Sequence, residues 1–191
     1  MKKVIFFVDG ENFRKSLEEI FVKKLKQPDF DIFKFNINKF FKEIFKKEKV
    51  TLVDKYYYAA KIKLYKETKK RSEELIFRQR KLKNILQKNS FKYIISGNVN
   101  RYIVDDKYIF VEKGVDVKLA TDLISFAVDC KMDLAYVFSS DSDLIPAINE
   151  VKRRGVEVVY LGFEDKKNYA IINTTDKTKL VKSKYLLKFY K

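Results

Sequence analysis

Apolar residues along the chain follow two spacings, which predict strands and helices in alternation. Lys3–Val8 is a continuous apolar run, typical of a strand buried on both faces. Further strands are predicted where apolar, β-branched and aromatic residues predominate, at Val50–Ala60, Phe91–Ser96, Asp133–Ser139 and Gly155–Leu161. Helical spacing predicts helices over Asn12–Leu25, Ile37–Phe45, Leu64–Lys88, Val117–Ala127 and Leu144–Arg153, and a final helical segment over Lys182–Tyr190. Strands separated by helices require crossover connections, so we predict an α/β fold whose mostly parallel central sheet carries helices on both faces.

Two segments depart from this simple alternation. Arg101–Val111 alternates as a hairpin does, with Asp105–Asp106 near its turn. The long predicted helix at Leu64–Lys88 has no apolar residue in Lys66–Glu74. Because a helix that is polar on all sides has no face to bury, we expect that half to project into solvent or to form a loop. Without repeats or linkers, residues 1–191 are predicted to form a single domain.

Positive charge is concentrated in two segments. The formal net charge is +16. Residues 61–92 carry twelve Lys or Arg and three Glu, a net of +9, and residues 166–191 carry eight Lys and one Asp, a net of +7. These two segments account for the whole excess. A bias towards lysine throughout the chain would not produce such clustering, so we predict a polyanionic partner, most simply a nucleic acid.

The residue types that are missing restrict the chemistry. The chain has no histidine and one cysteine, Cys130. This excludes imidazole general bases, imidazole-bound metals and thiolate metal clusters. No apolar run reaches the roughly 20 residues of a membrane helix, and the first residues lack the core of a signal peptide. We therefore expect a soluble, cytoplasmic protein with no membrane partner.

Carboxylates occupy the ends of predicted strands. Asp9 follows the first strand, and Asp141 and Asp143 follow the fourth. The carboxyl ends of parallel strands share one edge of the sheet, where ligands collect in open α/β folds. Asp116 would reach that edge from the N-cap of the next predicted helix. Asp122 lies six residues further on, about 600° of helix rotation, and so faces another direction.

Each of these residues also has a purely structural explanation. The alternatives are a turn for Asp9, helix caps for Asn12, Asp116, Asp141 and Asp143, and a solvated helix position for Asp122. The joint placement at strand ends favours a site. Several carboxylates that converge in a crevice repel each other unless a cation neutralises them. Ligands that are all oxygen suit Mg²⁺ or Mn²⁺, which would support phosphodiester hydrolysis without a histidine.

Three blocks of the sequence resemble the NYN domain, a family of the PIN-like metal-dependent nucleases. They are VDGEN at 8–12, EKGVDVKLATD at 112–122 and SSDSDLIPAINEVKRRGVEVVYLG at 139–162, and KYYYAA at 55–60 resembles the second strand of the family. The resemblance implies a Rossmann-like three-layer sandwich and a Mg²⁺- or Mn²⁺-dependent ribonuclease. It assigns catalytic roles to Asp9, Asn12, Asp116, Asp122, Asp141 and Asp143, with Asp9, Asp116, Asp141 and Asp143 as the expected metal ligands. Asn12 matches the asparagine that orders the site or the phosphate, and Asp122 is open to a supporting role, such as holding Lys118.

Two positions differ from the family pattern. Ser140 stands where the family usually has glycine, and Leu144 stands where it usually has phenylalanine. The Cβ of Ser140 would make any close approach of substrate to the backbone tighter. We expect both changes to be tolerated, with weak activity as their possible consequence.

The leading hypothesis is a metal-dependent endonuclease acting on single-stranded or structured RNA. The residues expected to contact the RNA backbone are Lys69, Lys70, Arg71, Arg78 and Arg80. Two alternatives use the same charge pattern: an RNA- or DNA-binding module with little or no catalysis, and a subunit whose basic segments dock an acidic protein. A steep loss of RNA affinity with salt would separate nucleic-acid binding from protein docking.

Overall fold

A computed structural model describes residues 2–46 and 51–191. In that part of the chain, seven strands form one sheet in the order β4-β3-β2-β1-β5-β6-β7. The strands are β1 Lys3–Asp9, β2 Thr51–Ile62, β3 Lys92–Val104, β4 Lys107–Lys113, β5 Leu134–Phe138, β6 Glu157–Phe163 and β7 Lys177–Val181. Neighbouring strands are parallel except β3 and β4, which form an antiparallel hairpin.

Helices connect the strands. They are α1 Gly10–Glu19, α2 Ile37–Phe45, α3 Lys69–Lys88, α4 Val115–Val128, α5 Ile145–Arg153, α6 Tyr169–Thr174 and α7 Ser183–Leu186. A π-helical turn at Ile20–Lys24 extends α1, and short 3₁₀ turns lie at Ile32–Lys34, Lys66–Thr68, Ser142–Leu144, Glu164–Lys166 and Leu187–Phe189.

The sheet is covered on both faces, which explains the continuous apolar strands. In β1, Phe6 packs in one core with residues of α1, α2 and α3, while Phe7 packs in a second core with residues of α4, α5 and α6. Both rings are fully buried. Successive strand side chains point to opposite faces, so a strand between two helical layers needs apolar residues at every position. The predicted α/β sandwich is therefore confirmed.

Several boundaries differ from the sequence prediction. Val50, the predicted start of the second strand, lies outside the described residues. The hairpin turn at Asp105–Asp106 is confirmed. Strand β7 was not predicted, because Lys177–Val181 is a half-exposed edge strand, and edge strands carry lysines that weaken the apolar signal.

The prediction that a helix begins at Leu64 is wrong, because α3 begins at Lys69. Tyr65 is extended, and its hydroxyl donates a hydrogen bond to the carbonyl oxygen of Val99 at 3.0 Å. This contact holds the chain in an extended form until the 3₁₀ turn. Within the polar half at 66–74, the buried Ser72 anchors the helix by donating to the carbonyl oxygen of Thr68, while the charged side chains around it are exposed.

No helix among residues 2–46 and 51–191 combines the length and the apolar content that crossing a bilayer requires.

Candidate metal centre at the carboxyl edge of the sheet

Three carboxylates meet at the carboxyl edge of the sheet. One oxygen from each of Asp116, Asp141 and Asp143 lies within 4.8 Å of the other two. Asp141 and Asp143 follow β5, and Asp116 lies in the first turn of α4. Oxygens on opposite sides of a Mg²⁺ ion are about 4.2 Å apart, since each Mg–O bond is about 2.1 Å. The three oxygens are therefore near that spacing, and they are the hard donors that a divalent cation such as Mg²⁺ prefers.

A network of hydrogen bonds shapes the turn after β5. The Asp141 carboxylate accepts from the backbone N–H of Asp143 at 3.0 Å, and the Asp141 N–H donates to the buried Ser139 hydroxyl at 3.1 Å. Asn12 Oδ1 accepts from both the N–H and the hydroxyl of Ser140, at 3.2 Å and 3.0 Å. Asn12 thus orients this turn, and the hydroxyl of Ser140 takes part in that contact.

Asp9 supports this turn from β1. One of its oxygens accepts from the Asn12 N–H at 3.0 Å, which caps α1, and the other accepts from the Ser139 hydroxyl at 3.0 Å. Burial raises the pKa of Asp9. The two hydrogen bonds lower it in part, and the nearby charges of Asp141 and Glu11 raise it further. The Asp9 oxygens are not part of the group within 4.8 Å, so its role as a metal ligand stays a prediction.

The predicted N-cap position of Asp116 is wrong. Gly114, with φ at 85°, precedes the helix, and Asp116 is its second residue. The chain leaves β4 through this left-handed glycine, so the helix begins two residues earlier than the cap hypothesis requires. Asp116 still reaches the other two carboxylates, and the positive end of the α4 dipole favours a negative charge in that turn.

Asp122 is not part of the group of three carboxylates. It is buried, accepts from the Tyr58 hydroxyl at 3.1 Å and pairs with Lys118 at 2.6 Å. The predicted contact with Lys118 is confirmed, and the solvated alternative is wrong. The contacts show Asp122 joining α4 to β2, while its predicted catalytic role stays a prediction.

Two further carboxylates, Glu112 and Glu11, lie near Asp9, and the sequence analysis assigned neither. Glu112 at the end of β4 accepts from the Ala60 N–H at 3.3 Å. Burial, followed by the charge of Glu11, raises the pKa of Glu112 to about 7. Glu11 is also buried in part, but Arg14 and Lys15 reverse that effect and lower its pKa. Glu112 is the first residue of the sequence block at 112–122 that resembles the family. Only tertiary packing brings its carboxylate to this edge of the sheet.

The raised pKa of Glu112 predicts a pH-dependent stability. Its folded pKa exceeds the unfolded value of 4.5, so its charge costs stability above pH 7, and the cost disappears as the pH falls to 4.5. Because the side chain is partly exposed, solvent screening limits the cost to about 1–2 kcal/mol. Glu112→Gln should therefore be more stable than the unmodified protein at pH 8 by that amount. Urea unfolding at pH 8 and pH 5 tests this, and an equal difference at both values would contradict it.

Asn168 links α6 to the turn after β5. Its Nδ2 donates to the carbonyl oxygen of Ser140 at 2.8 Å, and its Oδ1 accepts from the Ala170 N–H at 2.8 Å, capping α6. Sequence reasoning missed this residue because nothing in the chain marks an asparagine 28 residues away as a partner of Ser140.

Asn168→Asp separates the two functions of this side chain. The carboxylate keeps an oxygen for the helix cap but places a second oxygen against the Ser140 carbonyl. We expect roughly tenfold weaker Mn²⁺ binding, because supporting groups of a metal site typically contribute 10- to 100-fold, and little change in stability. Calorimetric Mn²⁺ titration and thermal unfolding measure the two effects, with Asn149→Asp on α5 as a control for the added charge. If the free energy of unfolding fell by as much as the free energy of Mn²⁺ binding, the variant would have a general structural defect.

The five predicted RNA-contacting residues differ in their surroundings. Lys69 lies 4.0 Å from Glu73, Arg71 pairs with Glu74 at 2.9 Å, and Lys70 is exposed at the start of α3. Arg78 pairs with Asp31 at 3.1 Å and covers the ring of Phe33, a structural contact. Arg80 is exposed on the later part of the helix.

An α/β sandwich with clustered carboxylates at the carboxyl edge of its sheet has the architecture of the PIN-like class. The chain belongs to the NYN domain family, whose family model matches residues 3–181. NYN domains are generally nucleases, use divalent metals and usually act on RNA. No curated protein matches the sequence. The fold is similar to the crystal structure of a protein of unknown function from Vibrio parahaemolyticus, with a TM-score of 0.65, 18% identity, and 94% of this chain and 93% of that chain covered.

Proposed function

We propose that this protein is a metal-dependent endoribonuclease that hydrolyses phosphodiester bonds of RNA. The observation that supports this most strongly is the group of Asp116, Asp141 and Asp143 in a chain that belongs to a family of nucleases. These three residues, with Asp9 beside them, would hold Mg²⁺ or Mn²⁺. Such an ion supplies Lewis acidity at a phosphate and lowers the pKa of a bound water.

The other residues of the site prepare this chemistry. Asn12 and Asn168 hold Ser140 from two sides, which fixes the turn that carries Asp141 and Asp143. The buried Ser139 hydroxyl joins Asp9 to the Asp141 backbone. Because like charges repel, rigid support is needed to keep three carboxylates together. The proposed cytoplasmic location agrees with an RNA substrate and with the single, unpaired Cys130.

Removal of metal should abolish cleavage. End-labelled single-stranded RNA would be incubated with purified protein in Mn²⁺, in Mg²⁺ and in EDTA. We expect internal cuts with either metal, none in EDTA, and recovery when metal is restored in excess. Cleavage that survives EDTA would contradict the proposal. Salt-sensitive RNA binding with no cleavage in any metal would favour the alternative of an inactive binding module.

A further inference from the structure

The hairpin of β3 and β4 continues beyond the rest of the sheet. Pairing of β2 with β3 ends at Ile62 and Val99, whereas pairing of β3 with β4 continues to Val104 and Lys107. Residues 100–111, called the arm, are therefore a two-stranded ribbon without a third strand in the described part of the chain. A ribbon of this kind is marginal by itself, so its sequence is expected to serve more than the stability of the sheet.

The arm leaves the sheet at the edge that carries the acidic group. Strand β3 runs parallel to β2 and β1, so its carboxyl end and the end of β1 lie at the same edge. After the arm, the chain returns along β4 and passes through Gly114 directly into the helix turn that carries Asp116. Adjacent strands are about 4.8 Å apart, which places β3 about 10 Å from β1.

The arm presents exposed aromatic and aliphatic side chains. Tyr102 lies opposite Ile109, and these two side chains are 44% and 40% exposed. Among the described residues, Tyr102 has no ring, cation or hydrogen-bond partner. On the other face, Arg101 stacks between Tyr65 and Tyr108, at 5.0 Å and 4.6 Å from the ring centroids. One face of the arm base is thus held in place, while the face with Tyr102 is open.

A run of lysines follows the end of β2, beside the base of the arm. Strand β2 separates β1 from β3 in the sheet, and the chain after β2 carries a run of exposed lysines before and at the start of α3. These lysines are Lys61, Lys63, Lys66, Lys69 and Lys70. The later basic residues of α3 are farther away, because the helix rises 1.5 Å per residue and runs back towards the start of β3. Lys88 is about 28 Å along the helix from Lys69.

From this order we infer that one single strand of RNA crosses the carboxyl edge of the sheet. It runs from the acidic group, over the lysines at 61–70, to the arm. There an unpaired base stacks on Tyr102. An exposed tyrosine ring offers a base a stacking surface, which a duplex cannot use because its bases are already stacked on one another. Lysine ammonium groups neutralise the backbone phosphates between the two points. The inference rests on the proposed function for its substrate, but it concerns binding and is tested without cleavage.

The first test compares two RNA forms with Asp141→Asn protein, which leaves the RNA intact. Fluorescence anisotropy would measure Kd for a short single-stranded RNA and for a blunt duplex. We expect Tyr102→Ala to weaken single-strand binding about tenfold, within the range for one stacked base, and to leave duplex binding unchanged. Tyr102→Phe should retain the affinity. Phe77→Ala, which removes another exposed aromatic ring, should have no effect.

The second test compares charge removal at the two halves of the basic segment. Lys63, Lys66 and Lys70 would be replaced together by alanine, and the matched control would replace Lys81, Lys83 and Lys88. Each phosphate contact contributes about 0.7 to the salt slope for a single strand, so we expect the first variant to reduce the slope by about 2 and the control to change it little.

The outcomes separate this inference from the proposed function. Equal effects of the two triple variants, or an unchanged Kd in Tyr102→Ala, would overturn the path. Light scattering that shows a dimer lost in Tyr102→Ala would also overturn it, because the arm would then be a surface for a second copy. The expected binding pattern in a protein that never cleaves RNA would retain the path and reject the nuclease.

Discussion

Replacing Asp141 with asparagine is expected to reduce metal-dependent RNA cleavage by more than about 100-fold, since even supporting residues of metal sites contribute 10- to 100-fold. Asparagine has the same shape and keeps an oxygen that can accept from the Asp143 N–H, as Asp141 does at 3.0 Å. The turn should therefore keep its form. What is lost is one negative charge from the group with Asp116 and Asp143. The measurement is the cleavage rate at saturating Mn²⁺, together with Mn²⁺ affinity by calorimetry.

The matched control is Asp129→Asn. Asp129 also lies at the end of an element of the fold, but it follows the last turn of α4, at the opposite end from Asp116, and pairs with Lys131 at 2.7 Å. We expect this variant to cleave as the unmodified protein does. Equal activity of the two variants would show that the acidic group is not the reaction centre, even if the protein cleaves RNA.

Replacing Gly10 with alanine is expected to lower the free energy of unfolding by about 3 kcal/mol, at the upper end of the usual cost of overpacking. A Cβ at this position would lie 2.3 Å from Cε1 of Tyr57 and 2.4 Å from the carbonyl oxygen of Tyr58. Tyr57 is fully buried, its hydroxyl donates to the Gly10 carbonyl oxygen at 3.0 Å, and the Tyr58 oxygen belongs to β2. Neither neighbour can move without disturbing the sheet beside Asp9.

Gly155→Ala provides the comparison for this prediction. Gly155 has φ at +81°, and no atom lies within 4 Å of the place that a Cβ would take, whereas Gly10 has an ordinary φ and no space. Alanine at 155 should cost about 1 kcal/mol, the strain of one left-handed residue. Urea unfolding of both variants measures the two costs. A smaller loss at Gly10 than at Gly155 would show that α1 can shift away from β2.

Much of the fold follows from local patterns in the sequence. The apolar run of β1 identifies a strand buried on both faces, and the spacing in Ile37–Phe45 reproduces α2 residue for residue. Elements whose patterns are weakened by lysine or by tertiary contacts were harder to predict. Strand β7 is stabilised by pairing with β6, and the late start of α3 depends on the contact of Tyr65 with β3.

The candidate site also has features that the sequence predicts and features that only tertiary contacts decide. Asp9, Asp141 and Asp143 could be placed at one edge of the sheet from the sequence, because parallel strands bring their carboxyl ends together. The distances within the group could not, since they depend on how α4 leaves Gly114. The hydrogen bond from Asn168 to Ser140 and the approach of Glu112 to Ala60 join residues 28 and 52 positions apart, and only tertiary packing decides such contacts.

The sequence by itself therefore determined the alternation of strands and helices, the position of the strand-end aspartates and the location of the excess charge, because each depends on neighbouring residues or on simple composition. Only the tertiary structure decided that Asp116, Asp141 and Asp143 form the group while Asp122 binds Tyr58 and Lys118. It also decided that the arm and the lysines at 61–70 share the edge of the acidic group. The physical reason is that the order of strands in the sheet, which no local pattern encodes, sets which distant side chains become neighbours.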